Sequence, residues 1–240
     1  MSIYRKIIFT QLSDNLLTEE FSDPNKASEQ QWKIRDHCDK ERVMIKAVIF
    51  DFGGVIAEEG FREGLMSIAK KKNLDEQSFF RTAEEIIYKT GYVIGKAKEK
   101  VFWETLFKET GIKEDYRHLR IEILRRFVLR TEMLLLAEKL RNQGLVAALL
   151  TDQTNWLDEI NGKKPFYNRF DYIINSYVLG KSKRDPSVFR DAARIIGIMP
   201  HLTLFVDDNV QNIKRASEAG MRTIHFTGIE DFKAQLEKEL

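Results

Sequence analysis

The sequence predicts an α/β fold: a doubly wound parallel sheet with an α-helical cap inserted into it. Three observations carry this expectation: short apolar runs, helical segments that alternate with them, and one long helical stretch between the first run and the second. The runs are Ile45–Phe50 (IKAVIF), Leu145–Leu150 (LVAALL), Tyr172–Asn175 (YIIN), Leu202–Val206 (LTLFV) and Arg222–Phe226 (RTIHF). Each is short and mainly apolar, the pattern of a strand covered on both faces. Helical segments over Glu132–Asn142, Pro186–Ile196 and Asn209–Ala219 fall between them, and such alternation builds a parallel sheet flanked by helices.

From Phe61 through Phe127 the spacing is helical with no strand signal. An ordinary crossover is far shorter, so this stretch reads as a cap over the carboxyl ends of the strands, where open α/β sheets place their ligands. The expected organisation is a core of residues 44–60 and 130–240 with a helical cap over 61–129. Residues 1–43 are different in kind, being polar and charged without sustained apolar periodicity, and they read as a loosely ordered extension. A second reading is that Met44 is the true start.

Composition narrows the partners. With 39 basic against 37 acidic residues the net charge is +2, which offers no broad positive field for nucleic acid; a small anionic metabolite is the better match. The single cysteine, Cys38, leaves no intramolecular disulfide and no cysteine pair for a metal, in keeping with a reducing compartment. Ile7, Ile8 and Phe9 are too few for a signal-peptide core, and no stretch approaches the ~20 apolar residues of a membrane span. A soluble, cytoplasmic protein with no membrane partner is therefore expected.

The chemistry-bearing residues cluster at strand ends. Asp51 follows the first strand and precedes Phe-Gly-Gly-Val, so a carboxylate emerges on a loop of little bulk, where a nucleophile belongs. Thr151 ends the second strand, Lys183 follows the third within GKSKRDPSVF, and Asp207 with Asp208 ends the fourth within FVDDNVQN. A carboxylate, a hydroxyl, a fixed cation and further carboxylates at one sheet edge suit phosphoryl transfer through an aspartyl-phosphate. Two carboxylates ~4 Å apart repel by about 4 kcal/mol at an effective dielectric of 20, more than Lys183 alone can balance for three of them. A hard cation with oxygen ligands solves this, and Mg²⁺ fits best.

The order of these pieces, VIFDFGGV, LLTDQT, GKSKRDPSVF and FVDDNVQNIKRASEAGM, resembles the haloacid dehalogenase superfamily, whose core is Rossmann-like, over nearly everything from Met44 onward. Within it, the chain is similar to helical-capped members such as sugar-1-phosphate phosphatases and the phosphatase domain of soluble epoxide hydrolases. GKAKEKVFWETL (Gly95–Leu106) resembles the segment leading into an aromatic cap helix. The resemblance implies that Asp51 attacks phosphorus and binds Mg²⁺, that the Gly53 carbonyl and Asp208 complete the protein ligands, and that Lys183 and Thr151 hold the phosphoryl group. It further implies that Asp207 supports the site from the adjacent position and that Asn212 orients Asp208 or a water held by the ion. Glu58, Glu59 and Arg62 sit where a cap hinge begins, and Arg62 and Trp103 are candidates for substrate contact.

Three positions depart from the pattern. Most phosphatases of the superfamily place a second aspartate two residues after the nucleophile, to protonate the leaving group; here that residue is Gly53. General acid–base catalysis is worth about 10²- to 10⁴-fold, so Gly53 favours substrates with acidic leaving groups, such as glycosyl-1-phosphates or acyl phosphates. Asp152 stands where relatives often carry asparagine, and it either points away from the phosphate or takes over proton transfer. Arg184 replaces a usual proline, and Lys181 is a rival to Lys183 that the spacing from Gly180 disfavours. The leading expectation is a Mg²⁺-dependent phosphatase of a small phosphorylated metabolite of the sugar-phosphate type. The alternatives are a metal-independent 2-haloacid dehalogenase, which the Asp207–Asp208 pair opposes, and a non-catalytic relative kept for binding or regulation.

Overall fold

A computed structural model describes residues 44–240. The extension expected over 1–43, including Cys38, lies outside the described residues. Five parallel strands form one sheet in the order β3-β2-β1-β4-β5: β1 Ala47–Phe50, β2 Val146–Thr151, β3 Tyr172–Asn175, β4 Thr203–Asp207 and β5 Arg222–His225. All five expected strands are present, each within two residues of its predicted ends. The register pairs Phe50 with Leu149 on one side and with Val206 on the other, so the central strands end level and Asp51, Thr151 and Asp207 emerge at one edge.

The continuous apolar character of these strands follows from burial on both faces. Alternate side chains point to opposite sides of a strand: Ala47 and Ile49 enter one buried cluster, with Ala148, Leu150 and Phe205, while Val48 and Phe50 enter another, with Leu149 and Val206. Helices α8 (Ser187–Ile196) and α9 (Val210–Glu218) cover the first face through Val188, Phe189, Ala192 and Ala216. Helices α5 (Thr131–Asn142) and α10 (Ile229–Glu239) cover the second through Met133, Ala137, Phe232 and Leu236. Strand order runs outward from β1 to β3 and then restarts at β4, so the switch point lies between β1 and β4, where ligands of such sheets bind.

Between β1 and β2 the chain forms α1 (Gly60–Lys71), α2 (Glu76–Lys89), α3 (Glu99–Thr110) and α4 (Tyr116–Leu124). Two crossing segments tie this insert to the sheet: Glu58 N–H donates to the Val128 carbonyl at 2.9 Å and Arg130 N–H to that of Ile56 at 2.8 Å. An aromatic core of Phe61, Tyr92, Phe102 and Trp103 joins the insert to Trp156 of α6 (Trp156–Lys163). No helix among the described residues is long and apolar enough to cross a membrane.

Candidate active site

The site begins with a lysine that is almost wholly buried. Lys183 lies in the loop between α7 (Ser176–Leu179) and α8 and is 2% exposed. Its Nζ is 2.7 Å from Asp51 Oδ1 and 2.7 Å from Asp207 Oδ2. Burial alone works against an ammonium charge, yet Asp207, Asp51 and Asp152 together outweigh it and hold Lys183 above its ordinary range. The second oxygen of Asp51 takes no part in this pair, while Oδ1 also accepts the N–H of Phe52 at 2.7 Å. One carboxylate oxygen is therefore fixed and the other takes part in neither contact.

Burial pushes the Asp51 carboxyl well above its usual value; Lys183 opposes this, and the nearby charges of Asp207 and Asp208 add to it. Asp208 is raised as well, first by burial and then by Asp207. Asp51, Asp207 and Asp208 each present an oxygen within 4.8 Å of the others. An all-carboxylate donor set this close suits a hard divalent ion such as Mg²⁺. Asp207 is already committed: it is fully buried, binds Lys183, accepts Asn209 N–H at 2.7 Å and is approached by Asn212 Nδ2 at 3.2 Å. Asp51 and Asp208 are the freer of the three. The carbonyl of Gly53 accepts no backbone N–H among the described residues, in keeping with a ligand role.

The loop is built around Asp208. Gly54 has φ +78°, and a Cβ there would collide with the Asp208 carboxylate, so only glycine allows the two chains to approach this closely. Arg130, which begins the return to the core, donates to the carbonyl of Gly54 and to Glu58 at 2.9 Å.

The site opens into a cavity of about 270 Å³ lined on one side by Asp51, Thr151, Lys183 and Asp208 and on the other by Phe61, Arg62, Phe80, Ile87, Tyr88 and Trp156. Asp152 lies at the wall with both oxygens occupied. Oδ2 accepts from Tyr88 Oη at 2.8 Å, and Oδ1 accepts from Ser176 Oγ at 2.6 Å and from the Lys183 N–H at 2.9 Å. Glu59 also lines the cavity, and burial followed by the charge of Asp208 pushes its carboxyl up to about 7.

The structure brings together Asp51, Gly53, Thr151, Asp152, Lys183, Asp207, Asp208 and Asn212, with Arg62 across the cavity. One expectation needs correction. Trp103 is fully buried among Phe102, Tyr116 and Trp156 and donates to Glu99 at 3.0 Å; its apolar area serves packing, and Trp156 lines the cavity instead. Of the two partners expected for Asn212, Asp208 is not reached: its Nδ2 donates to Asp207. Lys181 is spent on Ser187 and Asp191, and Arg184 stacks 3.4 Å over the Tyr88 ring. Tyr88, Ser176 and Arg130 went unseen in the sequence.

A parallel sheet with these side chains gathered at one edge is an α/β fold whose class comparison with known proteins supplies. A family profile described as haloacid dehalogenase-like hydrolase matches residues 45–220, so the chain belongs to that family. It is 30% identical over 138 residues to a phosphoserine phosphatase of Thermus thermophilus, a match covering 54% of each chain. It is 27% identical over 113 residues to bifunctional epoxide hydrolase 2 of Rattus norvegicus, covering 44% of this chain and 20% of that one. The chain thus spans about half of the first relative and a fifth of the second. Among solved structures, a HAD family enzyme from Bacteroides thetaiotaomicron superposes with a TM-score of 0.66 at 24% identity, over 80% of this chain and 98% of that one. The same enzyme has also been solved with magnesium and inorganic phosphate.

Proposed function

We infer that this chain is a Mg²⁺-dependent phosphatase of a small phosphorylated metabolite, of the sugar-phosphate type, that works through an aspartyl-phosphate. The observation that carries the reading is the shared position of Lys183 between Asp51 and Asp207, with an oxygen of Asp208 within 4.8 Å of one from each aspartate. The helices over 61–129 are read as the cap, and the cavity beneath them has room for a phosphoryl group with a small leaving group.

In this reading the free oxygen of Asp51 attacks phosphorus while Lys183 and the Thr151 hydroxyl hold the phosphoryl oxygens. Asp51, the Gly53 carbonyl and Asp208 would hold Mg²⁺, which offsets the charge that gathers between nucleophile and phosphate. Asp207 keeps the Lys183 ammonium aimed at that charge. Arg62 faces the cavity from α1, where it suits the polar end of a leaving group.

The test offers the full chain a panel of phosphate esters with Mg²⁺, beside Asp51→Asn. Turnover that is lost in the variant and on chelation supports the reading. Turnover that survives chelation, or equal rates for the two proteins, overturns it.

A further inference from the structure

The acidic side chains that line the cavity are Asp51, Glu59, Glu84, Asp152 and Asp208. Asp51 is held by Lys183, Asp152 by three donors, Glu84 pairs with Arg184 at 3.7 Å, and Asp208 belongs to the carboxylate cluster. Glu59 keeps one oxygen uncommitted. Its Oε1 accepts the N–H of Arg62 at 3.3 Å and so caps α1, which fixes the carboxylate and leaves Oε2 directed at Gly53.

The position of that oxygen is specific. A Cβ built on Gly53 would lie 2.7 Å from Glu59 Oε2 and 3.6 Å from its Cδ. Gly53 is not among the glycines with positive φ, so its backbone does not demand glycine, and the atom that a Cβ there would meet first is the end of the Glu59 side chain. In an aspartate the carboxylate oxygens stand beyond Cβ by one carbon–carbon and one carbon–oxygen bond, about 1.5 and 1.2 Å. Glu59 therefore sets a carboxylate oxygen in the space that an aspartate at position 53 would use, two residues from the nucleophile.

We propose that Glu59, reaching back from the start of α1, is the catalytic acid and base of this site. The inference rests on the phosphatase reading. As the Asp51–phosphorus bond forms and the phosphorus–oxygen bond to the leaving group breaks, the Glu59 carboxyl gives its proton to the departing oxygen. The resulting carboxylate then takes a proton from the water that attacks the aspartyl-phosphate, which returns free Asp51 and inorganic phosphate. Alkyl phosphates thus become good substrates, in contrast to the preference for acidic leaving groups that Gly53 alone suggests.

The test is Glu59→Gln, which keeps the volume and the acceptor for Arg62 N–H, measured with Mg²⁺ on p-nitrophenyl phosphate and on glycerol 3-phosphate. A proton donor is worth about 10²- to 10⁴-fold, so the variant should lose that factor on the alkyl ester and only a few-fold on the nitrophenyl ester, whose leaving group needs no proton. Equal losses on both esters, or none, overturn the proposal. A second comparison moves the carboxylate back: Gly53→Asp in an Glu59→Ala background should raise alkyl turnover at least ~10-fold over Glu59→Ala, within the range of one proton donor, and no gain would refute the substitution of one residue for the other. A wild-type chain that hydrolyses neither ester overturns the phosphatase reading, and this proposal with it.

Discussion

Lys183 and Asp207 form a fully enclosed ion pair, Nζ to Oδ2 2.7 Å, in which neither side chain has more than 3% of its surface exposed. Removing one partner of such a pair leaves a buried charge uncompensated and typically costs about 3 to 5 kcal/mol. Lys183→Met strands Asp51 as well, so it is expected to fall in that range by urea denaturation, with no detectable turnover. Combining it with Asp207→Asn should recover part of the stability but none of the activity. Simple additivity of the two stability losses would show that the residues act independently.

The Asp51–Asp208 pair predicts that Mg²⁺ stabilises the fold. A ligand at one hundred times its dissociation constant adds about 2.7 kcal/mol to folding. Thermal unfolding should therefore shift upward with Mg²⁺ in the wild type and not in Asp208→Asn. Gly54→Ala should behave like Asp208→Asn, since its methyl group takes the space of the Asp208 carboxylate. A full Mg²⁺ response in either variant would place the ion elsewhere.

Several of the residues that were legible in the sequence share a property: each lies at the end of a strand whose own pattern is local. Asp51, Thr151 and Asp207 follow apolar runs that burial on both faces forces to be continuous, and a parallel register then brings them level. Tyr88, Ser176 and Arg130 carry no such mark. Tyr88 meets Asp152 across 64 positions of chain, and only the docking of insert on sheet brings them together. Trp103 failed for a related reason. An aromatic residue on an amphipathic helix announces that it is buried, but not whether the surface that buries it is core or cavity.

Glu122 on α4 predicts a pH dependence remote from the chemistry. Burial works against its charge, but Arg125, Ser67, Lys71 and Arg126 all donate to it and outweigh that effect, so the carboxyl lies far below the usual glutamate range. A folded-state value that is depressed gives stability that is fully present above the unfolded value and is lost as pH falls through the folded one. Glu122→Gln is therefore expected to cost about 1 to 2 kcal/mol near neutral pH, the scale of charge-assisted hydrogen bonds discounted for its exposed partners. The gap between variant and wild type should narrow steadily below the ordinary carboxylate range. A gap that stays constant down to strongly acidic pH would assign the loss to packing.

Tyr88 predicts a separation of binding from chemistry. Its hydroxyl donates to Asp152 at 2.8 Å, Asp152 in turn accepts the main-chain N–H of Lys183, and the Arg184 guanidinium lies over the ring. The tyrosine thus ties α2 of the insert to the loop that carries the lysine, while its ring forms part of the cavity wall. Tyr88→Phe keeps the wall and the stacking but removes a hydrogen bond to a charged group, worth about 1.5 to 3 kcal/mol. Ser176 and the Lys183 N–H still hold Asp152, so the lysine should stay in place. The loss is expected mainly in KM, by about 10-fold or somewhat more, since about 1.4 kcal/mol corresponds to a factor of ten, with kcat within a few-fold of wild type. A fall in kcat at constant KM would instead mean that the hydroxyl steadies the reacting groups, with Asp152 passing that constraint to Lys183.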